Sequence, residues 1–148
     1  MKRIFAAALA VLAVAVSTAS VADQQSDAKA FTDGLNQISM TCQDLTASLD
    51  TQNTLAEMRG QPSDSATFDD ERKKLDACEA DAKTKGTELY RPFVAKTKNA
   101  QIKSDAKDVF ASWLAYVLVI RRGNGPETAE WTQLKHAESV LEVDALTN

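Results

Sequence analysis

Apolar residues recur along most of the chain at intervals of three and four. Phe31, Leu35, Ile38, Cys42, Leu45 and Leu49 step by 4, 3, 4, 3 and 4. That spacing draws one stripe along a helix and predicts an element near residues 26–52, with Ser26 as its N-cap. Asn53, Gly60, Pro62, Ser63 and Ser65 then break the pattern, so residues 53–66 read as an excursion holding a short helical turn at 55–58. Phe68, Leu75, Cys78, Ala82, Leu89 and Phe93 mark a second helix near 67–98. Thr67 is its expected cap, and Pro92 is expected to kink it, because proline removes a backbone donor and crowds the preceding turn.

Residues 109–120, VFASWLAYVLVI, are apolar on nearly every side, with Ser112 the one plainly polar position. A bilayer span needs roughly 20 apolar residues, so this run reads as the buried centre of a fold. It belongs to a third helix near 104–122, capped by Ser104, with Asp105 and Asp108 toward its positive end. Arg121, Arg122 and Gly123 have the chemistry of a helix C-terminus. After the Asn124-Gly125 turn, Pro126 opens a fourth helix near 126–146 that buries Trp131, Leu134, Ala137, Leu141 and Ala145. Without strand-like alternation or an internal repeat, the expected architecture is all-α, an up-down-up-down four-helix bundle.

A third helix this apolar has one face too many for three narrow stripes to cover. Trp113, Tyr116 and Val117 are expected to face the bundle, while Phe110, Leu114 and Leu118 stay partly accessible. Those three form a candidate partner surface for another protein or for a second copy in a homodimer.

The first residues change the arithmetic. Lys2 and Arg3, an apolar run over residues 4–16 and the small residues before Asp23 compose a secretory signal peptide, expected to span residues 1–22. The single helical domain is then residues 23–148, with no transmembrane segment and a periplasmic or secreted location. In such a compartment Cys42 and Cys78 are expected to join helices one and two as a disulfide. A redox pair would want Cys-x-x-Cys spacing, and an intermolecular bridge would leave a cysteine over. Bonded cysteines must lie at one height, and that requirement favours the excursion over a first helix running unbroken to residue 59.

Removing the leader takes two of the 17 basic residues and none of the 21 acidic ones, so the formal charge moves from −4 to −6. Nucleic acid is therefore an unfitting partner. The charge is unevenly distributed: −5 over residues 23–57, −2 over 58–90, +5 over 91–122 and −4 over 126–148. Arg91, Lys96, Lys98, Lys103 and Lys107 form a candidate basic patch, suited to an acidic protein or an anionic envelope polymer, or else to neighbouring acids of the same bundle.

Little else points to chemistry. The lone histidine, His136, has Thr132, Gln133, Ser139 and Val140 at helical spacing, so neither Glu-x-x-His nor His-Glu-x-x-His is present. Asp69, Asp70 and Glu71 fan around a helix, where paired-acid catalysis needs two carboxyls facing each other. No catalytic residue, metal site or cofactor is expected. The reading is a non-catalytic binding or inhibitory protein, similar in kind to periplasmic immunity proteins, and its rival is a structural or chaperone-like envelope role.

Overall fold

The seams of the sequence become four helices. A computed structural model describes residues 15–60, 65–120 and 127–147, comprising α1 (Ala15–Met58), α2 (Ser65–Lys96), α3 (Ala100–Ile120) and α4 (Ala129–Thr147), with no strand among the described residues. Each helix runs opposite to the next. Gly34 meets Leu89 while Cys42 bonds Cys78, which sets α1 against α2 in opposite directions. Tyr90 stacks on Phe110 and Gly86 abuts Trp113, reversing α3 on α2; Tyr116 packs on Trp131, reversing α4 on α3. Thr32 reaches Glu142 and Asn36 reaches Lys135, closing the ring between α1 and α4.

Trp113 is the centre of the core. Its indole N–H, a single donor, is shared between the Leu35 carbonyl at 2.8 Å and Ser39 Oγ at 2.6 Å, both on α1. The ring is fully buried, as are Leu35, Ile102, Val109, Tyr116, Leu134 and Leu141. Gly86 is what lets α2 approach this ring. A Cβ there would sit inside the contact distance of Trp113 Cζ3 and Cη2.

Several boundaries differ from expectation. α1 does not end near residue 52; it continues to Met58, and Gly60 leaves it with φ +60, the left-handed conformation that glycine adopts at no steric cost. The expected excursion over 53–66 is thus replaced by the alternative hairpin, with α1 running to Met58 and α2 starting at Ser65. Met58 lies 16 residues past Cys42 and Ser65 lies 13 before Cys78, so the cysteines still meet at one height, 5.8 Å apart at Cα. Ser26 and Thr67 stand inside α1 and α2, past the first residues of each helix. α2 passes through Pro92 and ends at Lys96. Pro92 is exposed, away from the core, and withholds one backbone donor from the helix. The cap of α3 is Asn99, whose Oδ1 accepts from the Gln101 amide at 2.8 Å and the Ile102 amide at 3.3 Å, in place of Ser104. Thr128 caps α4, its Oγ1 accepting from the Trp131 amide at 3.1 Å.

The expected Arg121-Arg122-Gly123 terminus, the Asn124-Gly125 turn and Pro126 lie outside the described residues, as does the signal peptide through residue 14. No described helix is long and apolar enough to cross a membrane. Beyond Thr46, which bonds the Ile120 carbonyl at the end of α3, no α1 side chain is buried, and no described α2 side chain before Leu75 is. α1 and α2 therefore continue as a two-helix arm, its α1 portion about 18 Å long at 1.5 Å per residue. The disulfide ties the arm at its base.

Candidate functional site

Two groups of residues separate in sequence share one edge of the molecule. Phe110 faces α2, its ring stacked on Tyr90 at 4.6 Å between centroids. Leu114 and Leu118 follow it at four and eight residues, and Lys107 and Lys103 precede it at three and seven, so all five fall on one side of α3, with Phe110 at its α2 border. Trp113, Tyr116 and Val117 are buried, Phe110 and Leu114 are half-buried, and Leu118 is 44% exposed. The strip is cationic toward the start of α3 and apolar toward its end.

α2 supplies the other bank. Tyr90 is half-buried against Phe110 of α3, Val94 is half-buried beside the core, Arg91 is exposed on α2, and Lys98 is exposed in the α2–α3 connection. Arg91, Lys98, Lys103 and Lys107 are exposed, and no ion pair among the described residues engages any of them. Lys96 is different: it bonds Asp27 of α1 at 2.5 Å and helps hold α2 on α1. The basic patch thus divides into one structural residue and four cations open to solvent.

A second polar feature had no signal in sequence. Asp105 is 5% exposed, on the side of α3 that packs against α4. Gln101 Nε2 donates to its Oδ1 at 2.9 Å, whereas Oδ2 is buried without a donor. Burial, foremost, and the neighbouring Asp144 and Asp108 push the Asp105 carboxyl above its ordinary value; the Gln101 bond opposes them. The i, i+3, i+4 arithmetic that placed Asp105 at a helix N-terminus was blind to a carboxylate 39 residues later. Glu138, likewise buried, is tied by Oε2 to Lys135 at 2.7 Å, and that lysine sits 4.3 Å over the Trp131 ring.

His136 lies on the exposed side of α4, and with Asp105, Asp108, Ser112 and Gln133 it lines a shallow cavity of about 320 Å³. A larger groove of about 480 Å³ runs between α1 and α2, floored by Gly34, Ile38, Ala82 and Leu89 and rimmed by the Asp81–Lys85 pair. Among the described residues no group of three or more His, Cys, Asp or Glu is placed to hold a metal ion. No protein-family model, no curated protein and no solved structure matches the chain.

Proposed function

We propose that this is a secreted or periplasmic, non-catalytic binding or inhibitory protein that engages an acidic protein partner along the α2–α3 edge. The observation that carries the reading is the juxtaposition of four exposed cations, with no ion pair among the described residues, and the partly exposed Phe110, Leu114 and Leu118 on that one edge. Charge of this kind, in a molecule acidic elsewhere, speeds encounter with an acidic partner and sets its orientation; desolvation of the leucines slows its departure. The location is supported by the leader-like first residues and by the Cys42–Cys78 bond, which an oxidising compartment maintains.

A photo-crosslinking residue at Leu118, expressed in the native host, tests the reading. One discrete protein adduct is expected, lost in K103E/K107E and weakened by added salt, while the same probe at Val143, an exposed apolar position of α4, yields none. Absence of an adduct at Leu118, or identical adducts at both positions, overturns it.

A further inference from the structure

The two cysteines of the Cys42–Cys78 bond are unequally covered. Cys42 is 2% exposed and belongs to the core cluster, whereas Cys78 is half-buried at the edge of that cluster. Cys78 lines the groove of about 480 Å³ between α1 and α2, and Cys42 does not. Thr41, the chain neighbour of Cys42, and Asp81, one turn from Cys78, line the same end; the lining continues through Ile38 and Ala82 toward Gly34 and Leu89. A groove of this volume is of the size that admits a small molecule. Thiol–disulfide exchange begins when a thiolate reaches one of the two sulfurs, and access decides which one it is. We propose that the α1–α2 groove is a thiol-access site, in which a low-molecular-weight thiol attacks Cys78 of the folded protein, leaving the mixed disulfide on Cys78 and the free thiol on Cys42.

The incoming thiolate forms a bond to Cys78 Sγ. The Sγ–Sγ bond breaks, and its electron pair leaves on Cys42 Sγ, which takes a proton from water. A second thiol then attacks the sulfur of the first, releasing Cys78 as a thiol and carrying both small thiols away as their own disulfide. Two electrons have passed from the pair of thiols to the protein's disulfide. The consequence falls on the arm: α1 buries no side chain beyond Thr46, so opening the bond removes the covalent fastening at the arm's base.

Brief treatment of the folded, oxidised protein with cysteamine, an acid quench, alkylation of the freed thiol with N-ethylmaleimide and peptide mass mapping locate the first adduct. Cysteamine is expected on Cys78 and the alkyl group on Cys42, in about tenfold excess over the reverse arrangement. The initial rate is expected to stay constant in urea too dilute to unfold the protein, because the folded state is what the thiol attacks. T41W places a large ring at an exposed position of the groove beside the cysteines and is expected to slow the reaction at least about fivefold, with little change in unfolding midpoint. No adduct on the folded protein, an adduct on Cys42, an even mixture, or a rate that rises with urea in step with global unfolding overturns the proposal. A folded T41W that reacts as fast as the parent overturns the groove as the route. Mapping and urea dependence need only the parent, so they decide the matter even if T41W does not fold.

Discussion

Two glycines that look alike in sequence have different duties. Both Gly34 and Gly86 interrupt helices, and each would be expected to gain up to about 1 kcal/mol of helix propensity on replacement by alanine. At Gly86 the new Cβ would meet the Trp113 ring, which is fully buried and tethered by its N–H to Leu35 and Ser39, so neither partner can yield. Gly86→Ala is expected to destabilise the protein by about 1–3 kcal/mol through overpacking, measured by urea denaturation. At Gly34 the nearest atom is Leu89 Cδ1 at 2.8 Å, the far end of a half-buried side chain bordering an open groove. Leu89 can rotate away, so Gly34→Ala is expected to fall within about 1 kcal/mol of the parent. Equal losses at both sites would contradict this account. Trp113 was legible as core from its spacing; the glycine that admits it was not, because a missing side chain leaves no periodic mark.

The helices show where local signals suffice and where they mislead. Seam residues of α1, α3 and α4 were read directly from their spacing, and the cysteines predicted a disulfide between the first two helices. With a sequence separation of 36, reduction or Cys42→Ser/Cys78→Ser is expected to cost about 3–4 kcal/mol, seen as a lower unfolding midpoint. Amide exchange should rise most in the arm beyond Thr46, where no α1 side chain is buried. Uniform exchange changes along all four helices would argue against a disulfide that fastens the arm. Caps were the least legible feature, since Ser26, Thr67 and Ser104 have the right chemistry and stand inside helices. Asn99 does the capping of α3, and Asn99→Ala is expected to cost about 0.5–2 kcal/mol by thermal denaturation, against little change for Ser104→Ala.

At the scale of the molecule, the segmental charge becomes an edge. A net charge of +5 over residues 91–122 says nothing about direction; antiparallel packing of α2 on α3 aims four of those cations at solvent beside Leu114 and Leu118. Leu118→Lys, at a 44% exposed position, is expected to change stability by no more than about 0.5 kcal/mol while weakening the proposed association at least tenfold. Lys103→Glu with Lys107→Glu should act mainly on the association rate, and the effect should shrink as salt rises. Denaturation and surface-binding kinetics on the same variants separate the two. A large stability loss in Leu118→Lys would mean that the edge is core.

The sequence by itself determined the helical class, the seams, the disulfide partners and the sign of each segment's charge, because each depends on residue type and on spacing within one helix. Only the tertiary structure decided how far α1 extends, which polar residues cap, which lysine is structural and which four face solvent, and that Asp105 is buried. Those outcomes depend on contacts between residues far apart in the chain, where packing selects among local options of nearly equal energy.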